Sequence, residues 1–224
     1  MPIHAPVILS INVGLPRDLG VPAGDGAPGN DDPLKRPWRS AIVKEPVDGP
    51  VRLGKTNLAG DAQADLRVHG GLEMAVLGYS ADHYPIWRAR LRMPDLPYGS
   101  FGENFTISGL DETTVCIGDT FAVGPARVQV SMPRGPCANL ARRWGIADLV
   151  ERVRETGWAG WYFRVLAEGD VAAGSVMVLE DRPCPQWSIS QANVIRSSRR
   201  EQPEAASQLA ACPLLAPSWR AKLA

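Results

Sequence analysis

One thiol stands out in the run Ser131-Met132-Pro133-Arg134-Gly135-Pro136-Cys137-Ala138-Asn139, boxed by two prolines and a glycine and preceded by an arginine. The prolines stiffen the backbone, and both the Arg134 charge and the start of a helix-like segment after Cys137 favour a thiolate. Thiolates are nucleophiles and soft-metal ligands, so the stretch reads as a site. It reads equally well as a buried structural cysteine in a Pro-rich turn, because free cysteine is among the most buried residue types.

Two further segments carry chemistry-bearing side chains between glycines. Leu58 to Gly71 combines Asp61, Asp65, Arg67 and His69 with the pair Gly70-Gly71. Such glycines let backbone amides approach a ligand closely, and an adjacent Arg or His can neutralise phosphate. The plainer alternative is a hairpin whose polar residues satisfy one another. Gly99 to Phe105 sets Glu103 and Asn104 in a glycine-flanked turn, where they can bond backbone or a polar ligand. Taken alone, that turn is better read as a loop anchored by its own side chains. Arg39 and Ser40 open a strand and could donate to an anion, whereas Asp119 is most simply a turn residue.

The elements that must position these groups are mostly short strands. Val7–Val13, Ser40–Val43, Met74–Tyr79, Thr120–Val123, Arg127–Val130, Trp161–Leu166 and Ser175–Leu179 are β-like and punctuated by Gly-Asp, Gly-Pro and Glu-Gly-Asp turns. Two helices interrupt them. Ser80 can cap one that runs to about Arg92 with Tyr84, Trp87 and Leu91 on one face; Pro85 is tolerated near its start. Ile146, Leu149, Val150 and Val153 follow helical spacing, and Gly157 supplies a stop. Many strands with few helices predict a mainly β fold with peripheral helices, a β-barrel rather than a βαβ repeat. The stretch 19–37, with four glycines and four prolines, is expected to be a mobile loop. Composition shifts at Arg182-Pro183-Cys184-Pro185, dividing a domain at 1–183 from a short helical extension at 184–224. In the extension Ser190 can cap a helix through Val194 and Ile195, and Ala205 to Ala211 can form another.

Composition narrows the function classes. Twenty-four basic residues balance twenty-four acidic ones, so no global field recruits a nucleic-acid polymer or an anionic membrane. No apolar run approaches the roughly 18 residues of a spanning helix. The first ten residues lack the pattern of a secretory signal, and the cytoplasm is the expected compartment. Cys116, Cys137, Cys184 and Cys212 form no C-x-x-C pair, and His4, His69 and His83 are the only histidines. Zinc-ribbon, thioredoxin-type and multi-histidine metal sites are therefore poorly supported.

In order along the chain, Ser40-Ala41-Ile42, Gly60-Asp61, Gln63-Ala64-Asp65, Val68-His69-Gly70-Gly71, Phe101-Gly102-Glu103-Asn104, Gly118-Asp119 and Pro133 to Cys137 resemble the MOSC domain. His83-Tyr84-Pro85-Ile86-Trp87 resembles the His-Tyr-x-x-Trp helix of the YiiM-like branch of that family. The tail through Pro217-Ser218-Trp219-Arg220 resembles that branch's three-helix extension. The resemblance implies a MOSC-type β-barrel that binds molybdenum cofactor, a molybdenum held by a pterin dithiolene with a phosphate tail. Cys137 would be the thiolate ligand to molybdenum and the catalytic residue. Arg134, Arg67 and His69 would meet the pterin and its phosphate, with Ser40, Asn139 and Asn104 as further polar contacts. Relatives in this branch reduce N-hydroxylated compounds such as hydroxylamino-purines and amidoximes, which implies a detoxifying oxidoreductase. With no cluster or flavin motif in the chain, a separate reductase must then supply electrons.

Two other readings stay open. MOSC domains also accompany cofactor sulfurases, where they are thought to bind the cofactor; here Cys137 would hold cofactor or sulfur in transit. Alternatively, Cys137 paired with His69 or His83 would make a nucleophilic hydrolase, a reading that no family resemblance supports.

Overall fold

The computed structural model describes residues 5–20 and 32–223. Its strands are β1 (Val7–Val13), β2 (Arg17–Leu19), β3 (Trp38–Ser40), β4 (Glu45–Pro46), β5 (Val51–Leu53), β6 (Val76–Ser80), β7 (Phe105–Ser108), β8 (Thr120–Val123), β9 (Ala126–Pro133), β10 (Trp161–Ala167), β11 (Gly169–Val171) and β12 (Met177–Asp181). Its helices are α1 (Tyr84–Leu91), α2 (Asn139–Trp144), α3 (Leu149–Thr156), α4 (Ile189–Ser197), α5 (Pro203–Ala210) and α6 (Pro217–Arg220). Eight strands form one sheet in the order β12-β8-β9-β10-β6-β7-β1-β4, antiparallel except where β6 runs parallel to β7. The sheet curls onto itself. Ile8 N–H donates to Ser175 O (3.0 Å), Gly174 N–H to Ile8 O (2.8 Å) and Met177 N–H to Pro6 O (2.8 Å), joining the approach to β12 with the start of β1.

Period-two burial explains which residues face inward. Along β9 Ala126, Val128 and Val130 are buried while Arg127 and Gln129 are not; along β10 Trp161, Phe163 and Val165 turn inward. A second apolar cluster of Tyr79, Tyr84, Trp87, Phe101, Leu140 and Leu149 packs α1, α2 and α3 together. Burying each large apolar side chain contributes about 1.5–3 kcal/mol.

The tail is sewn to the barrel. Ile189, Ala192, Leu209 and Trp219 belong to the same apolar cluster as the barrel strands. Ile189 N–H donates to Val115 O (2.9 Å), and Ala216 N–H to Ser131 O (2.9 Å). Among the described residues no helix is long and apolar enough to cross a membrane.

Several boundaries differ from the sequence expectation. The strand expected at Ser40–Val43 ends at Ser40, because β3 pairs only with the short β2, Arg17 opposite Ser40. Met74 belongs to a single 3₁₀ turn ahead of β6. Ser80 caps as expected, accepting from Asp82 N–H at 3.3 Å, but the first turn is 3₁₀ and the α-helix begins at Tyr84. Ile146 lies before α3 rather than in it. The cap of α4 is Ser188, whose Oγ accepts from Gln191 N–H at 3.1 Å, not Ser190. The stretch expected to be a loop, 19–37, opens with Leu19, which is paired to Trp38 as the last residue of β2, and its residues 21–31 lie outside the described residues.

Candidate functional site

Where β9 leaves the sheet, its chain forms one wall of a cavity of about 310 Å³. Arg134 N–H donates to Gly160 O (3.0 Å) and its guanidinium to Ala159 O (3.3 Å), so the turn is pinned to the segment entering β10. Gly160 permits this because its φ of +83° suits glycine, and a Cβ there would lie 2.3 Å from Gly78 O. Three residues on, Cys137 lines the cavity, half-buried against the aromatic cluster, and its carbonyl accepts from Leu140 N–H (3.1 Å).

The facing wall comes from the loop before β6. His69 lines the cavity, and burial followed by the positive charge of Arg134 lowers its pKa from 6.5, favouring the neutral ring at neutral pH. Ser40, at the end of β3, accepts from Ile42 N–H (3.2 Å) and from the Asn139 amide (3.3 Å), tying the start of α2 to the end of β3. Arg39 lines the cavity too, its guanidinium bonded at 3.0 Å to both Asp18 oxygens.

Two expected contacts are arranged otherwise. Arg67 does not line the cavity; its side chain is 88 % exposed and forked onto Asp65, whose carboxyl it holds down to about 2. Local pairing two residues away has captured that guanidinium. Asn104 does line the cavity, but its amide is committed to the wall. Its oxygen accepts from Leu77 N–H (3.1 Å), and its nitrogen donates to Asn12 O (3.1 Å) and Asp61 Oδ2 (2.9 Å). Glu103 is likewise structural. Fully buried, it accepts from Gly99 N–H (2.7 Å), Phe101 N–H (3.0 Å), the Thr106 hydroxyl (2.9 Å) and the Tyr84 hydroxyl. The plainer reading of that glycine-flanked loop therefore describes it.

The cavity also contains an ion pair that the sequence reading missed. Lys44 Nζ meets Asp61 Oδ1, with side chains 8 % and 1 % exposed, and both line the cavity. The same Oδ1 accepts from Gly14 N–H at 2.9 Å. Burial lowers the Lys44 pKa from 10.5 despite the attraction of Asp61. A lysine directly after the apolar run Ala41-Ile42-Val43 was the available signal. Nothing in the sequence revealed that Asp61 was its partner.

His83 lies elsewhere, bonded to Glu112 (2.7 Å) and stacked on Trp158 at 4.3 Å between ring centroids. Of the two histidines considered as bases for Cys137, only His69 shares its cavity.

The MOSC domain profile matches residues 65–178, half of the chain. The chain belongs to the MOSC family. It is a YiiM-like MOSC protein. It is 41 % identical over 214 residues to the uncharacterised protein YflK of Bacillus subtilis, covering 96 % of this chain and 91 % of that one. Protein YiiM of Escherichia coli is 39 % identical over 145 residues, covering 64 % of this chain and 65 % of that protein. A Gibberella moniliformis protein named reductase is 42 % identical over 153 residues, covering 67 % of this chain and 27 % of that longer protein. The solved structure of YiiM from Geobacillus stearothermophilus superposes with a TM-score of 0.78 at 35 % identity, covering 97 % of each chain. The MOSC-type barrel and helical tail are thus the YiiM arrangement.

Proposed function

We propose that this MOSC protein is a cytoplasmic, molybdenum-cofactor-dependent reductase of small N-hydroxylated compounds. The observation that carries the reading is a half-buried thiol, Cys137, on the wall of a cavity otherwise supplied with cations by Arg39, Lys44 and Arg134. A soft ligand beside cationic donors fits a sulfur-ligated metal on an anionic, phosphate-bearing organic carrier. Among the described residues no group of three or more His, Cys, Asp or Glu could hold a bare metal ion, so Cys137 would serve as one protein ligand to a metal brought by its carrier.

When bound, the cofactor would supply the two-electron redox chemistry of the reduction, with a separate reductase as electron source. Cys137 would bind and orient the metal, on a turn kept rigid by the Arg134–Gly160 bond. Arg134 and Arg39 would hold the anionic carrier. The overall change, N–OH plus two electrons and two protons to N–H plus water, needs proton donors at the cavity. Lys44 can present N–H groups there, since Asp61 occupies only part of its donor capacity. The Asp61–Asn104 bond keeps that lysine oriented.

The test is expression in a host that makes molybdenum cofactor, with metal and released pterin counted per chain for wild type and Cys137→Ala. Reduction of an N-hydroxylated purine is followed with a reduced viologen dye as donor. Near-stoichiometric molybdenum and turnover, both lost in Cys137→Ala, support the reading. Bound cofactor without turnover of any N-hydroxy compound would instead favour a cofactor carrier.

A further inference from the structure

Far along the chain from the cavity segments, two thiols meet where the barrel hands over to the tail. Cys184 lies between β12 and α4, and Cys212 lies just beyond α5. Their sulfur atoms are 3.6 Å apart, and the two residues are separated by 28 positions. That is sulfur–sulfur van der Waals contact, still longer than the roughly 2.05 Å of a disulfide bond. Cys184 is partly exposed whereas Cys212 is buried, so one member of the pair is open to a small reagent and the other waits behind it. Cys116, nearby, points its thiol at Pro185 O (3.6 Å) and is buried.

We infer that Cys184 and Cys212 are a reversible oxidation site, closed to a disulfide by exchange with a low-molecular-weight disulfide such as oxidised glutathione. The Cys184 thiol loses its proton to solvent, and the thiolate attacks one sulfur of the small disulfide, displacing one small thiolate. Cys212, deprotonated in turn, attacks the Cys184 sulfur of the mixed disulfide and expels the second small thiolate. Two protein thiols are oxidised by two electrons, one small disulfide is reduced to two thiols, and the protons balance through water. Burial, then the bond to Cys212, pushes the Cys184 thiol up to about 12, so exchange should be slow at neutral pH and accelerate as pH rises.

The location gives the bond a structural consequence. Just past Cys212, Ala216 N–H donates to Ser131 O (2.9 Å) and the Trp219 indole to Pro133 O (3.0 Å). Both acceptors belong to the end of β9 that leads into the Cys137 turn. Oxidation would fasten this supporting tail segment to the exit of β12. The inference is independent of which reaction the cavity performs.

The experiment treats the folded full chain with oxidised glutathione, then denatures it and alkylates remaining thiols with iodoacetamide, and reads intact mass and the peptide map. The expected product has lost two hydrogen masses, carries a Cys184–Cys212 cross-link, and keeps Cys116 and Cys137 alkylated. Dithiothreitol should reverse it, and the oxidised chain should melt at a higher temperature than the reduced one. Cys184→Ser and Cys212→Ser should each abolish the cross-link. A persistent glutathione adduct on Cys184 or Cys212, a bond from either of them to Cys116 or Cys137, or four alkylated cysteines in the treated wild type would overturn the inference, with no variant required.

Discussion

Replacing Asp61 by Asn tests how the cavity wall is held. The carboxylate is 1 % exposed and receives three donors: Lys44 Nζ, Gly14 N–H at 2.9 Å and the Asn104 amide at 2.9 Å. Asparagine preserves the size and can keep the Gly14 bond, but it removes the charge and turns one acceptor into a donor that faces another donor. Lys44 is then left buried without its counter-ion. Removing one partner from a buried ion pair costs about 3–5 kcal/mol. Lys44→Met should cost less, about 1–3 kcal/mol, since Asp61 retains two hydrogen bonds. The double variant should fall short of the sum of the singles by about 0.5–3 kcal/mol, the coupling expected of touching residues. The pair also has a pH signature. Burial depresses the folded Lys44 pKa below 10.5, so between that lower value and 10.5 the unfolded chain binds more protons. Stability therefore gains from Lys44 as pH rises through this window, and below it the burial penalty is present in full. Urea unfolding of wild type and variants across pH measures both effects. An Asp61→Asn cost below about 1 kcal/mol, or an alkaline gain that survives in Lys44→Met, would refute the reasoning.

Two further changes probe the scaffold behind the site. Glu103→Gln weakens an acceptor shared by four donors, three within residues 99–106 and the Tyr84 hydroxyl of α1, and should destabilise by about 1.5–3 kcal/mol; an unchanged urea midpoint would show the carboxylate charge to be dispensable. Gly160→Ala forces a Cβ to within 2.3 Å of Gly78 O at a φ of +83° and should cost about 1–3 kcal/mol in thermal or urea unfolding. A variant as stable as wild type would mean that this backbone contact yields easily.

The residues that met in the cavity and those that did not show where sequence reading stops. Cys137, Arg134, His69, Ser40 and Asn139 were legible as polar or reactive groups in rigid or glycine-rich segments, and all line one cavity. Arg67 was legible only as a charge; its pairing with Asp65 is a local contact that motif order does not encode. The short strands β2, β4, β5 and β11, of two or three residues, were missed because so few positions leave no periodicity to count.

By itself the sequence determined a mainly β chain with peripheral helices, no strong net field, a thiol on a stiff turn and the MOSC resemblance. Those are properties of residue type, of local spacing and, for the resemblance, of the order of short motifs along the chain. Tertiary structure alone decided that Lys44 meets Asp61, that Asn104 braces that carboxylate, and that Cys184 reaches Cys212 across 28 residues. Each of those contacts depends on barrel closure and tail docking, which bring distant segments within hydrogen-bonding or van der Waals range. Periodicity and motif spacing carry no record of such distances, because many registers of the same strands would satisfy the same local pattern.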